Sequence, residues 1–380
     1  MVPMVSGKTD LPPIGYAGRV AMLREAAADR DVDGVLLTSA VHVRWATGFT
    51  GSAGTVVITP SHAVLVTDGR YRDRAADELA AAGVDGEVDV QAGFSQGDQH
   101  ALVTSSAAGL RAIGAEAAGL SYERWQQLAR DLPLVPLDAQ ISAGRRRKDP
   151  GEVARIEFAC RCADAALSEV APRLGDGVTE ADVRTELEYR MRLHGADGPS
   201  YDTIVASGPS HAARPHHQPT ERLIVEGDTV VIDVGALVDG YHSDMTRSYV
   251  IGEATPEQTD LYAVLLSIQE AGLGTVAAGV RATDVDTACR SLAADAGYGA
   301  WFLHSTGHGV GLRIHEDPFE SPTSTQSLVA GDVVTVEPGL YRVGFGGFRI
   351  EDLVHVVDGG NRVLTASPKD TPCLPSRPTI

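Results

Sequence analysis

The sequence predicts an α/β domain followed by an α+β domain made of two related halves. Three observations carry that prediction. A length of 380 residues exceeds what one hydrophobic core usually organises. From about Tyr16 to Leu137, helix-like and strand-like segments alternate, as in an α/β layer structure. Past the basic run Arg145 to Lys148 and the Asp149-Pro150 step, the order changes to two helical segments and a hairpin, and then repeats. The boundary therefore falls between residues 144 and 145, giving domains 1–144 and 145–380.

In the first domain RVAMLREAAADR has helical periodicity, GVLLT, TVVITP and AVLVTDGRY are short apolar strands, and RDRAADELAAA returns to helix. In the second, helices are expected near Glu152 to Arg173 and Glu180 to His194, then near Pro256 to Ala278 and Asp284 to Ala296. Each helix pair precedes a hairpin, so two halves would face a shared centre with pseudo-twofold symmetry.

Composition narrows the function. A hydrophobic content of 43% is ordinary for a globular enzyme, and a formal net charge of -19 opposes nucleic acid or an anionic membrane as partner. No stretch approaches the roughly 18 apolar residues of a membrane span, and MVPMVSGKTDLPP lacks an apolar signal core, so a cytoplasmic location is expected. Cys160, Cys162, Cys289 and Cys373 form no disulfide framework and read as small, mostly buried hydrophobes. The run Arg145 to Lys148 reads as a solvated linker face.

The chemistry lies in Asp233, Asp244, His308, Glu337 and Glu351. In TVVIDVGALVDGYHSDMTRSYVI, Asp233 and Asp244 are equally far from the midpoint between Val238 and Asp239, beside the Asp239-Gly240 turn signal, so a hairpin would bring them together. In VVTVEPGLYRVGFGGFRIEDLVHVV, Glu337 and Glu351 are equally far from Gly344, and the Gly-Gly step just beyond it is read as the turn. His308 comes from HSTGHGVGLRIHEDP, where Gly307, Gly309 and Gly311 allow close backbone approach. A lone Asp by a turn is usually a turn former, and a lone His is usually solvated. Mirrored pairs at the ends of apolar strands are different, because confined carboxylates repel unless cations neutralise them. Four carboxylates and one imidazole suit two divalent ions sharing oxygen bridges and a bridging water of lowered pKa. Arg349, two residues before Glu351 on the same strand face, would orient the carboxylates or bond a nearby carbonyl.

Read in order, VIDVG, YHSDMTRSY, STGHGVGLRIHEDP, VEPGLY and FRIED resemble the ligand segments of the pita-bread metallopeptidases, within them the Xaa-Pro dipeptidase (prolidase) and aminopeptidase P branch. VRWATGFTGSAG and TDGRY resemble the creatinase-type N-terminal domain that precedes the catalytic one. The resemblance implies that Asp233 chelates one ion, His308 and Glu337 bind the other, and Asp244 and Glu351 bridge both, with manganese or cobalt as the usual metal. It also implies that His216, His304 and His315 contact substrate or assist proton transfer; their neighbour His217 reads as simply solvated. Glu337 would move the proton to the leaving nitrogen, and a homodimer would form through the N-terminal domain. The expected substrate is a small Xaa-Pro peptide. Arg313 is a candidate anchor for a dipeptide carboxylate, Tyr341 fits either branch, and the compact length with the HEDP segment favours a dipeptidase. The alternatives are an aminopeptidase P acting on longer peptides and a non-catalytic binding module of the same fold.

Overall fold

The structure, a computed structural model, describes residues 5–374. The described residues divide into two compact units, residues 13–145 and residues 146–374 together with 5–12. The segment up to Pro12, assigned from sequence to the first domain, clusters with the second: Lys8 Nζ donates to the Gly195 carbonyl (3.1 Å) and pairs with Asp197 (2.5 Å).

In the N-terminal unit, strands β1 (Gly34–Leu37), β2 (Gly54–Ile58), β3 (Ala63–Asp68), β4 (Asp89–Gly93), β5 (Ile113–Ala115) and β6 (Leu134–Pro136) form one sheet in the order β4-β3-β2-β1-β5-β6. Helices α1 (Arg19–Ala28), α2 (Ala40–Thr47), α3 (Arg72–Ala82), α4 (Gln96–Ser106) and α5 (Tyr122–Ala129) alternate with the strands, and α6 (Asp138–Arg146) follows. β1, β2 and β3 form an antiparallel meander, while β4, β5 and β6 join in parallel through helical crossovers. Leu36, Val57, Val64 and Val66 of the sheet pack with Val103 and Leu128 of the helices.

In the other unit, three helices begin on capping boxes. Asp149, Thr179 and Thr255 each accept from the third helical amide while that residue's side chain bonds back, starting α7 (Pro150–Val170), α8 (Glu180–Leu193) and, beyond the short α9 (Gly208–His211), α10 (Pro256–Thr275). Pro150 and Pro256 occupy the first turn, where a missing N–H costs nothing. α11 (Ala282–Asp295) completes the second helix pair. Leu167 and Val170 of α7 and Leu187 and Met191 of α8 bury the first hairpin's Val230 and Ile232, and Leu265, Ile268 and Cys289 of α10 and α11 bury Phe348 and Ile350 of the second.

The first half contributes β7 (Gly198–Pro199), β8 (Ile204–Ser207), β9 (Thr229–Asp233), β10 (Ala236–Val238), β11 (Tyr241–His242) and β12 (Thr246–Val250). The second contributes β13 (Gly307–Gly309), β14 (Glu316–Glu320), β15 (Val333–Val336), β16 (Gly339–Arg342), β17 (Gly346–Arg349), β18 (Asp352–Val357) and β19 (Gly360–Val363). The main sheets run β12-β9-β8 and β14-β13-β15-β18-β19.

Two sequence expectations are corrected here. Cys160, Cys162 and Cys289 are buried free thiols, but Cys373 is exposed, paired with Val250 through backbone alone. The basic run is no solvated linker. Arg145 is buried, Arg146 forks onto Asp332 (2.9 and 2.6 Å) and Lys148 Nζ meets Glu316 Oε1 at 2.8 Å, with Arg147 left exposed. Buried Asp332 and Glu316 need these counter-charges. No helix of the described residues is long and apolar enough to cross a membrane.

Candidate metal centre

The first hairpin turns on Asp239 and Gly240, both left-handed (φ 46° and 72°), the two-residue turn whose twist matches antiparallel strands. Its centre lies between those two residues, one position later than the symmetric reading. Asp233 therefore faces Thr246, and Asp244 falls one step diagonal to Asp233 on the same sheet face. The second hairpin keeps the expected centre. Its ladder pairs Val336 with Asp352 and Gly339 with Arg349, a register that puts Glu337 opposite Glu351. The turn itself is Val343-Gly344-Phe345, with Gly344 at φ 88°, and Gly346 and Gly347 already belong to β17.

At the two glutamates the strands hand their amides elsewhere. Glu337 N–H donates to the Thr306 carbonyl (2.8 Å), beside β13, and Glu351 N–H donates to the Thr246 carbonyl (3.2 Å) on β12. Both halves are thereby tied at the centre. One oxygen from each of Asp233, Asp244 and Glu351 lies within 4.8 Å of the others. His308 Nε2 is 3.6 Å from Asp244 Oδ2 and 3.5 Å from Glu337 Oε1, and its Nδ1 bonds the Gly309 carbonyl at 3.1 Å, which fixes the ring's aim. All five side chains line one cavity of about 320 Å³, together with His216, His315 and Tyr201.

Electrostatics mark this cluster as a place for cations. Burial, then Asp233 and Glu337, push the Asp244 carboxyl far above its usual range; burial and Asp244 do the same to Glu351. Burial, with Asp233 adding to it, raises Glu337 to about 8, and burial lowers His308 to about 4, leaving a neutral imidazole ready to ligate. Arg349 supplies one positive charge against four carboxylates. This oxygen-rich set with one imidazole fits hard or borderline divalent metal.

Of the remaining sequence candidates, His216 and His315 stand exposed on the cavity wall, and the His315 ring meets His308 edge-on at 4.3 Å. His304 and Arg349 do not line the cavity. His304 Nε2 bonds the Tyr341 hydroxyl (3.1 Å), and burial lowers its imidazole to about 4. Arg349 donates to Asp233 Oδ2 (2.6 Å), the Tyr341 hydroxyl (2.9 Å), Thr246 Oγ1 (2.9 Å) and the Pro215 carbonyl (2.8 Å), so it holds both a carboxylate and the segment carrying His216. His304 thus stands behind the lining residues, against Tyr341. Arg313 is exposed and outside the cavity lining. His217, read as solvated, is buried against Glu180. Tyr201 was missed: its hydroxyl bonds both Asp233 and Asp244, and the only sequence signal is an aromatic just ahead of β8. Glu320 on β14 is fully buried with neither oxygen hydrogen-bonded, and burial followed by Glu337 pushes its carboxyl well above the ordinary range.

Two helix-helix-hairpin halves closing on a carboxylate-rich cavity define the pita-bread class of metallohydrolase. Residues 154–358 match the family described as Metallopeptidase family M24, and residues 19–146 match the Creatinase/Prolidase N-terminal domain. The chain is 36% identical over 355 residues to an uncharacterized peptidase, YqhT, of Bacillus subtilis, covering 93% of this chain and 99% of that one. It is 36% identical over 265 residues to an Xaa-Pro dipeptidase of Pyrococcus horikoshii, covering 69% and 75%. An Xaa-Pro dipeptidase from Bacillus anthracis aligns in structure with a TM-score of 0.89 at 35% identity, covering 94% of this chain and 100% of that one. The chain belongs to metallopeptidase family M24.

Proposed function

We propose that the chain is a dinuclear-metal Xaa-Pro dipeptidase. The observation that carries this reading is the convergence of Asp233, Asp244, His308, Glu337 and Glu351 on one cavity. Its volume of about 320 Å³ accommodates a ligand the size of a dipeptide. Relatives named Xaa-Pro dipeptidase add support.

Asp233 would hold one ion, His308 and Glu337 the other, and Asp244 and Glu351 both, with manganese or cobalt suited to the oxygen-rich set. When bound, such ions supply Lewis acidity and a water acidic enough to attack a carbonyl at neutral pH. The chain's own groups do the rest. His216 and His315, on the cavity wall, donate to the carbonyl oxygen as it gains charge. Glu337 takes the attacking water's proton and returns it to the prolyl nitrogen. That nitrogen bears no hydrogen in the amide, so recognition cannot rely on an N–H there. Arg349 holds Asp233 and the Pro215 carbonyl so that carboxylate and His216 keep their places.

The test is metal content measured alongside hydrolysis of Ala-Pro and Ala-Pro-Ala. Two manganese ions per chain and preference for Ala-Pro are expected, with both manganese and turnover lost in Asp244→Ala. Full activity in metal-stripped Asp244→Ala protein would end the account, and preference for the tripeptide would replace dipeptidase by aminopeptidase P. A similar fold at 30% identity and TM-score 0.83 is titled X-Pro aminopeptidase from Thermotoga maritima, which keeps that second reading in view. The homodimer belongs to the same proposal, and light scattering at the monomer mass would contradict it.

A further inference from the structure

We propose that Glu180, His211 and His217 form a second metal site, of zinc type, that fixes the segment carrying His216. The three side chains come from the start of α8, the end of α9 and the loop beyond it. One ligating atom from each lies within 4.8 Å of the others. His211 Nδ1 is 3.0 Å from Glu180 Oε1, and His217 Nε2 is 3.2 Å from Glu180 Oε2. A tetrahedral ion with bonds of about 2.0–2.2 Å sets its ligand atoms roughly 3.3 Å apart, so each imidazole nitrogen already stands near that spacing from a Glu180 oxygen.

The surroundings suit an ion more than a plain hydrogen-bond hub. Glu180 is fully buried, and its carboxylate accepts from the Ser207 amide (2.8 Å) and hydroxyl (2.7 Å) and from the Thr220 amide (3.1 Å) and hydroxyl (2.8 Å). Burial alone would raise this carboxyl, but those bonds and His211 bring it below its ordinary value, so it is ionised and oriented as a ligand must be. The two hydroxyls can rotate away and free a lone pair on each oxygen, while the backbone amides keep the carboxylate aimed. The imidazole centroids lie 4.1 Å apart with their planes 29° from parallel, so ligation of one ion by both rings requires one ring to turn until the two in-plane lone pairs converge.

Ligand chemistry separates this site from the catalytic one. Two nitrogens and one carboxylate leave a fourth position open and favour a borderline ion such as zinc, where four carboxylates and one nitrogen favour manganese or cobalt. The functional link is short. His217 adjoins His216, which lines the cavity, and Arg349 already grips the Pro215 carbonyl from the other side. An ion at Glu180 clamps the same segment from behind. The site stands whatever the substrate of the catalytic cavity proves to be.

The test uses the full chain carrying Asp244→Ala, so that the catalytic donors are broken, dialysed against zinc alone and separately against cobalt. One zinc per chain is expected, with the strong visible absorption of tetrahedral cobalt. Adding His211→Asn, or His217→Asn in a second variant, should weaken zinc at least tenfold and remove that absorption, while metal-free melting stays within a few degrees. In the chain with intact catalytic donors, His211→Asn should leave manganese content unchanged. Equal zinc stoichiometry with and without the two imidazoles would overturn the site and leave a hydrogen-bond hub. Absence of Ala-Pro hydrolysis, by contrast, would count against the dipeptidase reading and leave the zinc count untouched.

Discussion

A guanidinium presents five N–H donors in one rigid plane, and Arg349 places them on Asp233, Thr246, Tyr341 and the Pro215 carbonyl at once. A lysine in its place would keep the charge and lose the fork. Arg349→Lys is expected to retain its metal, read by elemental analysis, and to lose about 10–100-fold in kcat, because the carboxylate and the His216 segment are no longer held together. Unchanged kcat would refute that positioning role. Glu320 poses the opposite case, a buried carboxyl whose two oxygens have no hydrogen-bond partner. Its folded pKa is raised, so in the native chain it keeps a proton that the unfolded chain gives up near pH 4.5. Stability is therefore lost progressively as pH rises from there toward the folded value. Glu320→Leu removes that penalty. The variant should melt higher than the parent, by roughly 1–3 kcal/mol of stability, with a gap that widens between pH 5 and pH 8. A gap that is constant with pH would mean the carboxyl finds a partner on its own.

The hairpins show how far a sequence can be read at the level of strands. Glu337 and Glu351 were legible because the ladder between β15 and β18 continues through β16 and β17 without a slip. Asp233 and Asp244 were legible as a pair but not in register. Their turn is centred on Asp239-Gly240, the pair the sequence already marks as a turn, whereas the symmetric reading placed the centre one position earlier. Three helices were legible from their helical pattern, while the capping boxes at Asp149, Thr179 and Thr255 that start them, though local, went unread. Tyr201 and the burial of Arg145 and Lys148 were not legible, because each depends on residues far away in sequence. The contact of His304 with Tyr341 was not legible for the same reason, since the two lie on segments far apart in sequence. One strand offers a direct check on how backbone aims a ligand. A Cβ added at Gly307 would sit 2.1 Å from the Thr335 carbonyl oxygen, so β13 can lie against its neighbour only without a side chain there. Gly307→Ala should force β13 outward, shift His308, and lower both melting temperature and bound metal. A variant that binds the full metal complement would show that β13 has slack.

At the scale of the whole molecule, the N-terminal unit holds its own apolar core, and the carboxylate cluster lies entirely in the other unit. Chelation should therefore act on one unit alone. Scanning calorimetry of EDTA-treated protein should show the catalytic transition moved down and that of residues 13–145 unmoved. Manganese at about a hundred times its dissociation constant should restore about 2.7 kcal/mol. A shift of both transitions together would mean the units unfold as one. The order of donors along the chain has a further consequence. Asp233 and Asp244 emerge from the ribosome well before His308 and Glu337, and Glu351 emerges last. A nascent chain can show a cation at most half a cage, too few oxygens to hold it against water. Metal capture thus reports that both halves have been synthesised and have closed on each other, and the ion serves as a staple joining their distant segments.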